Sequence, residues 1–80
     1  MKFVNQIKRI EHIDYLIYSR ATGTPAELAH RLGISRSQLF QTLKTIRGDM
    51  RAPIYYSRNL QSYCYRDDVR FKCKFEPLQK

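Results

Sequence analysis

Long apolar runs are missing from this sequence. No stretch of 18 apolar residues occurs, so no membrane-spanning helix is expected. The first nine residues, Met1-Lys2-Phe3-Val4-Asn5-Gln6-Ile7-Lys8-Arg9, carry charge too early to form the apolar stretch of a signal peptide. Both absences point to the cytoplasm. Cysteine is scarce, with Cys64 and Cys73 alone. In a reducing compartment two buried thiols are expected, not a disulfide. A zinc site would also have to recruit His12 and His30, which read as surface side chains, and the spacings form no Cys-x-x-Cys or His-x-x-x-His pattern. Catalytic groupings are missing as well. There is no nucleophile–base pair, no pair of carboxylates and no phosphate-binding glycine loop, and Asp67-Asp68 reads as a turn. The chain is therefore expected not to be an enzyme, with no catalytic residue, no metal and no cofactor. Glycine and proline occur three times each, too few for a disordered or low-complexity chain.

What is present is a basic chain of 80 residues, enough for one domain over 1–80. A fold of this size buries only about 60% of its unfolded surface. It has room for one modest core, so no separate ligand pocket and no small-molecule effector are expected. The formal net charge is +8, and the last thirty residues hold seven Lys or Arg against three Asp or Glu. Such an excess favours a polyanionic partner. DNA, RNA and an acidic membrane surface all qualify on charge alone.

From Lys2 to Tyr18, Phe3, Ile7, Ile10, Ile13 or Asp14, and Ile17 recur at helical steps. Ala21-Thr22-Gly23-Thr24-Pro25 stops this helix. Thr24-Pro25-Ala26-Glu27 then forms a capping box with proline at the first helical position. The second helix runs through Leu28, Ala29 and Leu32 and closes at Gly33, which suits a left-handed C-cap. Ser35-Arg36-Ser37-Gln38 is another capping box, and it opens a third helix with Leu39, Leu43, Ile46 and Met50 on one stripe. Phe40 reads as partly core. The end of this helix is open between Gly48 and Arg51.

Beyond it the period changes from 3.6 to 2. If Ser57 faces Ser62, then Tyr56 faces Tyr63 and Ile54 faces Tyr65 on one side of a hairpin. Arg58-Asn59-Leu60-Gln61 forms its tip. Val69, Phe71, Cys73 and Phe75 alternate with Arg70, Lys72 and Lys74, which predicts a third strand with one basic face. The fold class expected is α+β: three helices, a hairpin and a strand. Two capped helices joined at Gly33-Ile34-Ser35 make a helix-turn-helix at about 24–50, and the hairpin at about 53–66 makes it winged.

The stretch Glu27-Leu28-Ala29-His30-Arg31-Leu32-Gly33-Ile34-Ser35-Arg36-Ser37-Gln38-Leu39-Phe40 resembles the helix-turn-helix of DeoR-like and WYL-domain bacterial transcriptional regulators. Ala52-Pro53-Ile54-Tyr55-Tyr56-Ser57-Arg58 and the later Ser62-Tyr63-Cys64-Tyr65 resemble the same proteins' wing, with its Ala-Pro-Ile start, Tyr-Asp-Arg run and Gly-Tyr return. The likeness covers roughly Ile7 to Tyr65. It implies that the helix opening at Ser35 enters the major groove while the hairpin touches the backbone or minor groove. Two departures stand out. Gln61-Ser62 replaces the usual glycine, so a looser wing tip is expected. The chain also stops near Lys80, where those regulators continue into an effector-sensing domain, so a stand-alone short protein without ligand sensing is expected.

On the third helix the side away from the apolar stripe carries Ser37, Gln41 and Lys44, with Arg36, Gln38 and Thr45 nearer the flanks. No acid interrupts this face before Asp49. Gln pairs bidentately with adenine, Arg with guanine, and Ser or Thr reaches base edges or phosphate. A solvated polar face is the plain alternative. Thr24 and Ser35, at the two helix starts, join the candidate DNA-binding set, since a helix N-terminus can hold a phosphate. Arg58 and Asn59 complete it at the hairpin tip, where Arg58 can reach phosphate and Asn59 tolerates a left-handed turn conformation. The expected function is sequence-specific binding of double-stranded DNA, as a transcriptional regulator or an accessory factor of a mobile element. Two rivals stand beside it. One is a winged-helix module that binds protein through the apolar face of Val69 to Phe75. The other is an RNA binder that stacks bases on the tyrosines, although no RNP-type run of aromatics occurs. A homodimer on a two-fold site would sharpen specificity, yet no heptad seam is visible.

Overall fold

The computed structural model describes residues 2–73 together with Phe75 and Leu78. The chain folds as α1 (Lys2–Tyr18), α2 (Pro25–Leu32), α3 (Arg36–Gly48), β1 (Ile54–Ser57) and β2 (Ser62–Tyr65). This is an α+β arrangement of three helices followed by a two-stranded antiparallel hairpin, compatible with a winged-helix layout. No helix among the described residues is long and apolar enough to cross a membrane.

Local chemistry sets the helix ends. Both capping boxes form as the sequence predicts, Thr24 with Glu27 and Ser35 with Gln38. The Thr24 backbone and side chain donate to or accept from Glu27, and the backbone bond in particular holds its carboxyl below the ordinary value. Gly33 closes α2 at φ 68°, and the Ile34 N–H returns to the Ala29 carbonyl at 3.0 Å. α1 ends in the same way, with the Ala21 N–H on the Leu16 carbonyl at 2.9 Å, but Arg20 holds the left-handed position at φ 56°. α3 stops at Gly48, and Met50 falls beyond it and is exposed.

Ile13, Leu16 and Ile17 of α1, Leu28 and Ala29 of α2, Leu39, Leu43 and Ile46 of α3, and Ile54 and Tyr63 of the hairpin form the core. The hairpin register is the expected one, Ile54 opposite Tyr65, Tyr56 opposite Tyr63 and Ser57 opposite Ser62. Tyr56 and Tyr63 meet edge to face with centroids 5.0 Å apart, in a non-hydrogen-bonded pair where cross-strand side chains approach most closely. Phe3 is exposed, so the apolar period of α1 reaches further than its burial.

Each outer edge of the hairpin is covered by a side chain. The Tyr63 N–H points away from β1 and donates to Thr22 Oγ1 at 2.8 Å, while the Thr22 N–H donates to Ser62 Oγ at 3.1 Å. On the other edge the Ile54 carbonyl accepts Arg47 Nε at 3.2 Å. Two strands alone are marginal in water, and these caps satisfy edge groups that would otherwise need a further strand.

The expected third strand does not form among the described residues of 69–75, and Lys74 lies outside them. The reason is buried Asp14. Its Oδ1 accepts the Tyr65 hydroxyl at 2.7 Å and the Phe71 N–H at 3.0 Å, and its Oδ2 accepts Arg70 Nε at 3.0 Å. The Arg70 guanidinium also lies 4.1 Å from the Tyr18 ring centroid. Backbone that a ladder would use is thus bonded to α1, and the β2 edge that would receive it is bonded to Thr22. Burial, with Asp14 as hydrogen-bond acceptor, pushes the Tyr65 phenol well above its ordinary value. The apolar face expected of that strand is half-buried at Val69 and Phe71 only, whereas Cys73 and Phe75 are exposed. Of the two thiols expected inside, Cys64 is buried and Cys73 is not. The expectation of no room for a pocket also needs correction. A cavity of about 350 Å³ opens between α1, the end of α3 and this segment, walled by Ile10, Ile13, Met50, Ala52 and Phe71.

Candidate nucleic-acid interface

Successive α-helical residues are rotated by about 100°. With Leu39, Leu43 and Ile46 facing the core, Ser37, Gln41, Lys44 and Gly48 lie on the opposite side of α3, and all are exposed. The two flanks of this arc differ. Thr42 and Thr45 turn toward α1, where with Gln41 they border a groove of about 250 Å³ shared with Gln6 and Arg9. Arg47 turns the other way, to the hairpin, through its bond to the Ile54 carbonyl. Arg36 and exposed Phe40 lie on this hairpin flank too, so Phe40 contributes less to the core than its sequence position implies.

The candidate residues therefore separate into three groups. Ser37, Gln41 and Lys44 share one open face, with Arg36 and Thr45 at its two borders. Thr24, Ser35 and Gln38 are already engaged as caps. Thr24 Oγ1 accepts the Glu27 N–H at 3.2 Å, Ser35 Oγ accepts the Gln38 N–H at 3.1 Å, and Gln38 Oε1 accepts the Ser35 N–H at 3.0 Å. Of these side chains Gln38 keeps two amide donors for another partner. Arg58 and Asn59 stand exposed at the hairpin tip. The left-handed turn residue there is Gln61, at φ 49°, and not Asn59 as expected. A bond from the Leu60 N–H to Ser57 Oγ at 3.2 Å shapes the four-residue turn around it.

The exposed arc of α3 carries no acid from Arg36 to Gly48, whereas Arg66 shares a surface depression with Asp67 and Asp68. The ion pair found among the described residues is Arg70 with Asp14, at 3.0 Å. Arg36, Lys44, Arg47, Arg58 and Arg66 have no carboxylate within that range. No cluster of metal-ligating side chains occurs among the described residues. What the arrangement offers is an array of hydrogen-bond donors and cations on a stiff, doubly capped helix, flanked by a braced hairpin. It is suited to an anionic surface rich in acceptors.

Reading the sequence alone missed Arg47, a cation on the hairpin flank of α3, and Arg66, which borders a depression with Tyr18, Arg20, Asp67 and Asp68. The Arg66 guanidinium stacks 4.8 Å above the Tyr55 ring centroid. Residue spacing does not mark Arg47, because its place depends on how the hairpin folds back against α3. Compared with known proteins, the chain matches no family model, no curated sequence and no solved structure.

Proposed function

We propose that the chain binds double-stranded DNA as a winged helix-turn-helix domain, with α3 in the major groove and the hairpin beside it on the backbone. The carrying observation is the exposed arc of α3, which bears Ser37, Gln41 and Lys44 and no acid from Arg36 to Gly48. Gln41 sits mid-helix, where a bidentate contact to adenine is in reach, and Lys44 and Arg36 supply positive charge at its sides. The net charge of +8 provides the sequence-independent attraction. Binding, not catalysis, is the activity in this reading, and occupancy of a regulatory or mobile-element site is its biological effect.

The test is a selection from random duplex DNA followed by affinity measurements over a salt series. If about 4 to 6 phosphates are neutralised, log Kd against log salt should have a slope near 4 to 5 in magnitude. A flat salt response with no recovered motif would refute the reading. The exposed apolar Phe3, Val4, Phe75 and Leu78 favour the alternative, a protein-binding module, and that outcome would leave it standing.

A further inference from the structure

We infer that α1 belongs to the same interface, and that Arg9 with Gln6 takes a DNA phosphate in the groove between α1 and α3, next to the base contacts of Gln41. The inference rests on the DNA-binding reading above and adds to it a second helix. The groove, of about 250 Å³, draws its apolar lining from half-buried Ile10 and buried Ile46. Gln6 and Arg9 line it from α1, and Gln41, Thr42 and Thr45 from α3. Gln41 and Thr45 also belong to the exposed arc of α3, so groove and arc are continuous.

Gln6 precedes Ile13 by seven residues and Ile17 by eleven, which at about 100° per residue puts it within about 20° of both around α1. Ile13 and Ile17 are core, yet Gln6 on the same line is exposed. The N-terminal half of α1 thus runs past the core, and there its inward line carries an amide with Arg9 beside it. Among the described residues the Gln6 and Gln41 amides, the Arg9 guanidinium and the Thr45 hydroxyl make no bond within the protein. Thr42 Oγ1 donates to the Gln38 carbonyl at 2.8 Å and keeps only acceptor capacity. No acid borders the groove. Glu11 stands about 200° round α1 from Arg9, and Asp49 follows the end of α3 without lining the groove. The groove therefore gathers one positive charge and a surplus of donors. That suits a phosphate, whose charge is negative and whose oxygens only accept. A phosphate held there fixes where Gln41 stands over the bases, since backbone contacts set register and base contacts set sequence.

A merely solvated groove would need no particular charge at Arg9. Lys8 separates the two accounts, because it is exposed, carries the same charge and lies about 200° round α1 from Gln6, away from the groove. The 80-residue chain is measured with one preferred and one scrambled duplex over a salt series. Arg9→Gln should weaken binding to both duplexes alike, by about 3- to 10-fold at moderate salt, and lower the salt slope by about 1. Arg9→Lys should restore the slope. Gln6→Ala should weaken both by about 2- to 3-fold with the slope kept, because a neutral amide releases no counterion. Lys8→Gln should leave the slope within about 0.3 of wild type and the affinity within about 2-fold. Melting temperatures should stay near wild type throughout, since none of these side chains bonds to the fold. If the wild type binds with a steep slope and Arg9→Gln matches Lys8→Gln in slope and affinity, the α1 contact is refuted while the DNA reading stands. A loss in Arg9→Gln confined to the preferred duplex refutes it as well, since a phosphate contact carries no sequence preference. If the wild type shows no salt-dependent binding, both fall together.

Discussion

Removing Asp14 should loosen the whole C-terminal side of the domain. Its carboxylate is 4% exposed, and it collects the Tyr65 hydroxyl, the Phe71 N–H and the Arg70 guanidinium from residues more than fifty positions away. In Asp14→Ala the two part-buried donors lose their acceptor, at about 1–1.5 kcal/mol each. The Arg70 side chain is 42% exposed and returns to water, so its share is at most about 1 kcal/mol. The sum is about 2–4 kcal/mol. A domain of 80 residues has about 4–12 kcal/mol in all, so the loss is a large fraction of it. Urea denaturation followed by far-ultraviolet circular dichroism reads the change, since the chain has no tryptophan to report by fluorescence. Tryptic cleavage after Arg70 should accelerate in parallel, because this carboxylate takes both the Phe71 N–H and the Arg70 guanidinium. Asp14→Asn keeps a single acceptor oxygen and should fall between the two. A loss below about 0.5 kcal/mol in Asp14→Ala, with an unchanged cleavage rate, would refute the idea that Asp14 fastens this segment.

Three further outcomes are expected. Gln61→Gly relieves a left-handed residue at φ 49° and should stabilise the domain by about 0.5–1 kcal/mol after the entropy of glycine is counted, raising Tm by several degrees; a lower Tm would contradict this. Stability should decline as pH rises above 10. The unfolded chain releases the Tyr65 proton near its ordinary value of 10.0 while the folded chain, with its raised value, retains it, so the contribution is full below pH 10 and is lost above. Tyr65→Phe should flatten that alkaline decline, and parallel curves for the two proteins would count against it. Gln41→Ala should cost about 1–3 kcal/mol on the selected duplex and little on scrambled DNA, and equal losses on both would assign Gln41 to the backbone.

Much of this molecule is written in short-range pattern. The caps at Thr24 and Ser35 bond three residues ahead, and Gly33 closes α2 over the preceding turn, so their residue types declare them wherever they occur. The hairpin register follows from a period of two and a four-residue tip, which together leave one pairing that buries Ile54 and Tyr63 on the same side. The open arc of α3 follows likewise from helical period once Leu39, Leu43 and Ile46 are taken as core. Val69 to Phe75 shows where such reasoning stops. Its alternation is that of a strand, but a strand also needs a free edge to join. Thr22, some forty residues away, already occupies that edge, and Asp14 claims the segment's own backbone.

Sequence by itself thus determined the helices, their ends and the paired strands, because those are set by contacts within a few residues and by which side of each element is apolar. Tertiary structure alone decided what meets across the chain: Asp14 as the buried anchor for residues 65–71, Thr22 and Arg47 as covers for the two hairpin edges, and Gln61 as the strained turn residue. A charged residue is buried only if its partners arrive in place, and an edge is free only if nothing else has bonded to it. Both conditions depend on how distant segments close on one another, which composition and period do not encode.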